Sequence, residues 1–359
     1  MNEIENARLL IAITRGDWAV AESLSPAARD DPQGFIEVGR RADLLPWLHA
    51  LLEREGRRGL LGAEVQERLD GWRKKIRQDN LLLLARSEEA LDLLLAAGVM
   101  PVALKGLDLL HRIYTRFDER TLTDVDLLIP MAQLTPAVTA LRAAGWQVPP
   151  EPTYTHYIRS SHHLPLVSPG PIVVDFEIHW NLAQETRFRI DPTGLFDRAV
   201  ETEIAGRKIL RLEDHDLVAH LLLHHFTHYF DWQLKWAVDM YSITRQSGFD
   251  WMKVADRIRS WNATIVSGYA LLHLKKIFPD WIPDSVMQEL RVPAWRRALT
   301  SPLTSSHPLE LFRNTRSRRV QLYLAAVMLE NPASLPQWLV HRAVRDHRPG
   351  ENPLDADPD

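Results

Sequence analysis

Asp124 and Asp126 stand at alternate positions of an apolar run from Thr123 to Ile129. Side chains alternate along a strand, so both carboxylates leave the same face. Two like charges side by side on a half-buried strand are costly unless a cation sits between them. The pair therefore reads as a divalent-metal site, with the oxygen ligands that Mg²⁺ prefers. A second acidic strand lies further on. From Val173 to Trp180, Val174, Phe176, Ile178 and Trp180 point one way and Asp175, Glu177 and His179 the other. Glu177 or Asp175 is placed to supply a third carboxylate. Gly106 marks a strand-to-helix turn whose free N–H groups can face a phosphate, and Lys105 beside it adds a positive charge. Carboxylate-held metal, a glycine turn and a lysine together suit a nucleoside triphosphate and phosphoryl or nucleotidyl transfer.

These residues need a sheet to bring them together. Val99 to Leu104 reads as a short strand, Leu107 to Tyr114 as a helix, Leu122 to Ile129 as a strand stopped by Pro130, and Ala132 to Ala144 as a helix closed by Gly145. Tyr154 to Arg159 and His163 to Val167 are further strand candidates, and Ser168-Pro169-Gly170 is a turn. Residues 99–180 thus form a small α/β unit with a mixed sheet. The chain before it is helical, with Asn80 to Leu95 ending at Ala97-Gly98, and it is helical again from about 213, through 214–247 and 251–263 to about 345. The expected organisation is a helical region at 1–98, an α/β core at 99–212, a helical region at 213–348 and a disordered tail at 349–359.

With 359 residues, 45% of them hydrophobic, the chain can bury a sizeable core. A net charge of −4 gives no bulk attraction to nucleic acid. The absence of cysteine excludes disulfides, thiolate zinc sites and cysteine nucleophiles, and is compatible with a reducing cytoplasm, the expected location. Met1 to Ala12, carrying Glu3 and Glu5, does not read as a signal peptide. No apolar run is long enough for a membrane span. There is no Gly-x-Ser-x-Gly, Walker-type loop or dinucleotide fingerprint.

Three other features carry weaker signals. His220, His224 and His228 recur on one helix with His225 adjacent. Three such positions spread over about 12 Å, too far for one ion; two of them with a remote carboxylate could hold a metal, but a lining of the active-site cleft or a packed helix face is the expected role. Trp232, Trp236 and Asp239 are expected to continue that helix, with Trp236 in the core rather than a base-stacking platform and Asp239 capping or pairing locally. The segment from Arg291 to Arg348 is arginine-rich (Arg296, Arg297, Arg313, Arg316, Arg318, Arg319, Arg342, Arg345) and suits solvated helix faces, RNA phosphates or an acidic partner. His162 and His163 lie near the sheet with no role assigned.

Leu104-Lys105-Gly106, Arg120, the run Asp124 to Leu128 and Glu177-Ile178-His179-Trp180 together resemble the uncharacterised nucleotidyltransferase family of bacteria, within the polymerase-β-like nucleotidyltransferase superfamily. The resemblance extends over about 300 residues, more weakly at the flanks. It implies an α+β fold, a mixed sheet with helices flanked by helical regions. It implies that Asp124 and Asp126 hold one or two Mg²⁺ ions and that Glu177, with Asp175 as substitute, binds metal or takes a proton from the acceptor hydroxyl. The Lys105-Gly106 turn would hold the triphosphate of an NTP. Arg120 would either reach that triphosphate or pair with Asp118 or Glu119. His179 would orient the third acid or make a structural hydrogen bond. Leu107 stands where the superfamily usually has a second Gly or Ser, and the gap from Gly106 to Asp124 is longer than in minimal members; relatives of the abortive-infection toxin type share both the lysine-glycine and a longer gap. The implied reaction is attack of a hydroxyl on the α-phosphorus, moving NMP to an acceptor and releasing pyrophosphate. The acceptor is a small molecule, peptide or RNA. A tRNA-directed toxin-type enzyme, an antibiotic-adenylylating type, or a non-catalytic nucleotide-binding module accessory to a biosynthetic pathway are the alternatives.

Overall fold

The computed structural model describes residues 2–171, 173–184, 187–227, 234–304 and 318–346. The tail at 349–359, together with His228, Trp232, Arg313 and Arg316, lies outside these residues.

The chain opens with α1 (Asn2–Arg15), α2 (Trp18–Asp30), α3 (Pro32–Arg41), α4 (Leu45–Arg54) and the long α5 (Ala63–Ala96). Short carboxylates set two of the starts. Asp17 accepts from the Val20 N–H at 3.3 Å, and Asp31 accepts from Gly34 at 2.9 Å with Pro32 as the first helical residue. Gly98, at φ 74°, closes α5 in the left-handed conformation that favours glycine.

A mixed six-stranded sheet follows, in the order β3-β4-β2-β1-β6-β5. Its strands are β1 (Val102–Ala103), β2 (Val125–Leu128), β3 (His163–Val167), β4 (Asp175–His179), β5 (Val200–Ile204) and β6 (Arg207–Arg211). β2 runs parallel to β4 and antiparallel to β1, while β1 runs parallel to β6. Between the strands lie α6 (Lys105–Arg112), α7 (Leu134–Ala143), α8 (Thr153–Ser160) and α9 (Pro192–Arg198). Helices then dominate: α10 (Asp214–Thr227), α11 (Leu234–Thr244), α12 (Trp251–Ser260), α13 (Thr264–Ile277), α14 (Asp284–Glu289), α15 (Ala294–Thr304), α16 (Arg318–Val327) and α17 (Leu335–Asp346). The molecule is α+β, as the residue pattern and the resemblance imply. No helix among the described residues is long and apolar enough to cross a membrane.

Strand alternation divides the sheet into two unlike faces. Val125, Leu127, Leu164, Leu166, Phe176 and Ile178 join Leu91 and Leu94 of α5 and Val138 and Leu141 of α7 in one core. Asp126, Glu177 and His179 therefore leave the opposite face. A second core joins residues of α1 to α5 with Leu217, Leu221, Val266 and Leu274 of the later helices, and also includes Val102, Leu104 and Leu128 of the sheet region. The polar face of the central strands is set between these two masses.

Three elements differ from expectation. Tyr154 to Arg159 is helical, within α8, rather than a strand. Tyr154, Tyr157 and Ile158 recur at helical spacing and pack on the α5/α7 core, so periodicity outweighs the aromatic composition. The strand expected over Val99 to Leu104 contracts to β1; Pro101 has no N–H to give to a ladder, and its carbonyl accepts from Leu210 at 3.0 Å. The β5–β6 hairpin was not expected. Ala205 and Gly206, at φ 51° and 76°, turn it, without the Asn-Gly or Asp-Gly pair that usually announces such a turn.

Candidate active site

Register brings the acidic strands together. Asp126 on β2 is directly opposite Glu177 on β4, and Leu128 is opposite His179. Strands in a sheet lie about 4.8 Å apart, so residues in register on one face share a site. His179 Nε2 lies 2.9 Å from Asp126 Oδ1 and 3.0 Å from Glu177 Oε2. From the first position of α6, Lys105 Nζ reaches the same Asp126 Oδ1 at 2.9 Å. Asp126 and His179 are almost wholly buried.

The backbone at Lys105 is adapted to this aim. Its φ of 43° places a non-glycine residue in the left-handed region, at a cost of roughly 1–2 kcal/mol. Two bonds hold it there: the ammonium on Asp126, and the Leu104 N–H on the Asp126 carbonyl at 3.1 Å. Gly106 follows for a steric reason. A Cβ there would lie 2.8 Å from Leu122 Cδ2 and 2.9 Å from Arg120 Nη1.

Electrostatics follows from this packing. Burial alone would push the Asp126 carboxyl up, but Lys105 and His179 hold it well below its ordinary value. Burial also opposes the charge on Lys105, yet Asp126, Glu177 and Asp124 raise its pKa. Burial works against protonation of His179, while its bonds to Asp126 and Glu177 raise its pKa. Glu177 is held below its usual range against burial, chiefly through His179. Asp124 behaves oppositely: burial, then the negative charge of Asp126, raises its pKa. A carboxyl so placed is one that an added cation would help to ionise.

Asp126, Glu177 and His179 each offer one ligand atom within 4.8 Å of the others. Two carboxylate oxygens with one imidazole fit a hard or borderline divalent cation. Among the described residues, Asp124 and Asp175 do not join this group. Asp124 lies just before β2, with its Oδ1 accepting from Thr123 Oγ1 at 3.0 Å. Asp175 is exposed at the start of β4, opposite Val167.

Arg120 is paired elsewhere. Its guanidinium makes a buried ion pair with Asp239 of α11, Nη2 to Oδ2 at 3.0 Å, and Tyr114 Oη donates to Asp239 Oδ1 at 2.7 Å. Its partner is neither Asp118 nor Glu119, and Asp239 pairs across the fold rather than locally. Burial opposes the charge on Arg120, but Asp239 more than offsets this and raises its pKa. Asn80 fixes the surrounding loop, donating to the Arg120 carbonyl at 2.7 Å and accepting from the Leu122 N–H at 3.0 Å. Trp236 is buried in the core as expected. Arg296 is also internal, donating to the Val327 carbonyl at the end of α16 at 2.8 Å, which leaves it no role toward nucleic acid.

Three further histidines lie close to the cluster, two with no role assigned from the sequence and one, His220, expected to line the cleft or a packed face. The His163 ring is 5.1 Å from that of His179, and the His162 ring is 5.7 Å from it. His220 of α10 is buried near Lys105, His179 and Asp126, whose charges it feels, and neither of its ring nitrogens has a partner. The histidine pair at the start of a strand was the available sequence signal for the first two.

The profile of the uncharacterised nucleotidyltransferase family matches residues 28–279. That span covers most of the chain, including every residue of the acidic cluster. The chain belongs to the uncharacterised nucleotidyltransferase family. No curated protein matches it.

Proposed function

We propose that the protein is a Mg²⁺-dependent nucleotidyltransferase that moves NMP from an NTP to a hydroxyl acceptor and releases pyrophosphate. The observation that carries this is the in-register pairing of Asp126 with Glu177, both within reach of His179 Nε2. Asp126 and Glu177 would hold the metal, with Asp124 joining them as its carboxyl ionises and Asp175 as the more distant substitute. Bound there, Mg²⁺ would neutralise charge on the attacking and departing oxygens. Lys105 and the first N–H groups of α6 would face the triphosphate, the ammonium supplying a charge that is already oriented. Glu177 would receive the proton of the acceptor hydroxyl, with His179 keeping its carboxylate aimed. The reacting hydroxyl would approach the α-phosphorus in line with the leaving pyrophosphate.

In this scheme the chemistry belongs to residues 99–212, and the helical regions at 1–98 and 213–348 build its walls. A bacterial cytoplasm, with its abundant NTPs and Mg²⁺, suits the reaction. The acceptor is a small molecule, a peptide or RNA. Incubation with NTPs labelled at the α-phosphorus, with total RNA and small-molecule and peptide extracts as separate acceptors, tests the proposal. Label transfer that needs Mg²⁺ and falls by roughly 10³-fold or more in Asp126→Asn is expected. Equal transfer by that variant, while it remains folded, would refute the assignment.

A further inference from the structure

His162 and His163 take no part in the transfer chemistry, yet they are placed as carefully as the carboxylates. His163 opens β3 and pairs in register with His179. The His162 carbonyl is fixed by the Trp180 N–H at 3.0 Å. The rings of His162 and His163 meet edge to face with centroids 4.8 Å apart. His162, His163 and His179 each offer a ring nitrogen within 4.8 Å of the other two.

These rings do not satisfy one another. The Nδ1 atoms of His162, His163 and His179 are all buried without a hydrogen-bond partner. Each such atom costs about 1–3 kcal/mol, and three together in one place call for a shared partner. At the same time Nε2 of His179 is tied to Asp126 and Glu177, and Nε2 of His163 lies 3.7 Å from Glu177 Oε1. A carboxylate on one ring nitrogen is the arrangement that orients a histidine for ligation through the other.

We propose that His162, His163 and His179 form a second, nitrogen-rich cation site beside the carboxylate site, for a borderline divalent ion of the Zn²⁺ or Co²⁺ class. Three imidazoles suit such an ion and do not suit Mg²⁺, which prefers oxygen ligands. Zinc–nitrogen bonds are about 2.0–2.1 Å, so the rings need to close slightly around the ion. His179 belongs to both groups, which places the two cations side by side with one histidine between them. The site does not depend on the transfer reaction, because the ion is bound without nucleotide.

The probe is Co²⁺, added to the full-length metal-free protein without NTP and followed by its visible spectrum. The expected result is one equivalent bound, with the intense bands of a nitrogen-ligated ion of low coordination number, that survives a large excess of Mg²⁺. Affinity should fall at least tenfold in His162→Gln and in His163→Gln. Unchanged affinity in folded His162→Gln and His163→Gln proteins would overturn the proposal. So would a wild-type spectrum with only the weak bands of six-coordinate oxygen ligation, a reading that needs no variant to fold.

Discussion

Lys105 Nζ stands 2.9 Å from Asp126 Oδ1, so the ammonium expected to meet a phosphate is the counter-ion of a candidate metal ligand. Replacing it should move two affinities in opposite directions. Lys105→Met removes a positive charge that competes with a metal, so Mn²⁺ should bind more tightly, by electron paramagnetic resonance titration. The same change should weaken binding of a non-hydrolysable NTP roughly tenfold, or about 1.4 kcal/mol, by calorimetry. Two shifts of the same sign would show that Lys105 serves only the carboxylate.

Gly106→Ala tests whether the glycine is there for space. The new methyl would meet Arg120 Nη1 and Leu122 Cδ2 at 2.9 and 2.8 Å. Arg120 is anchored on Asp239 and cannot swing away freely. A loss of about 1–3 kcal/mol in urea unfolding is expected. An unchanged midpoint would mean that the surrounding loop yields more readily than its hydrogen bonds suggest.

The Arg120–Asp239 pair should dominate stability in its neighbourhood. Arg120→Met leaves a buried carboxylate with the Tyr114 hydroxyl as its one remaining hydrogen-bond partner among the described residues and should cost about 3–5 kcal/mol. Asp239→Leu should be comparably harmful by stranding the guanidinium. The double variant should recover a large part of the loss, since no buried charge then remains unpaired. Chemical denaturation of the three variants reads this directly, and strictly additive losses would contradict it.

His220 makes a pH-dependent contribution. Burial, then the charges of Lys105 and His179, lower its pKa to about 3 from 6.5, with Asp126 acting in the other direction. His162 faces it as well. Below pH 6.5 the unfolded chain therefore takes up a proton that the folded chain refuses. The stability is fully present above that pH and is lost as the pH falls toward about 3. His220→Leu should lose less stability than wild type between pH 7.5 and 4.5, by on the order of 2 kcal/mol. Parallel profiles from urea midpoints would exclude the effect.

The acidic faces were legible because a period of two assigns each strand residue to a side. Asp126 and Glu177 could be put on matching faces from sequence alone. What stayed hidden was pairing. Nothing local says that Lys105 closes on Asp126, or that Arg120 finds a partner 119 residues away. His162 and His163 stood at the start of a strand candidate, but their nearness to His179 emerged only when β3 was aligned against β4. Tyr154 to Arg159 shows the reverse failure, where aromatic composition pointed to a strand while the spacing was already helical. The β5–β6 hairpin escaped because an Ala-Gly turn carries little signal by itself.

The core that joins the first helices to the later ones also has a consequence for biosynthesis. Arg15 at the end of α1 donates to the carbonyls of Lys276 and Ile277 at the end of α13. On the ribosome, α1 is made long before its partner exists. At roughly 5–20 residues per second, the exposed N-terminal helices wait on the order of 10–50 s for that surface to emerge. During that interval their apolar sides are available to chaperones, and slowing translation before residue 264 should lengthen chaperone occupancy of the nascent chain.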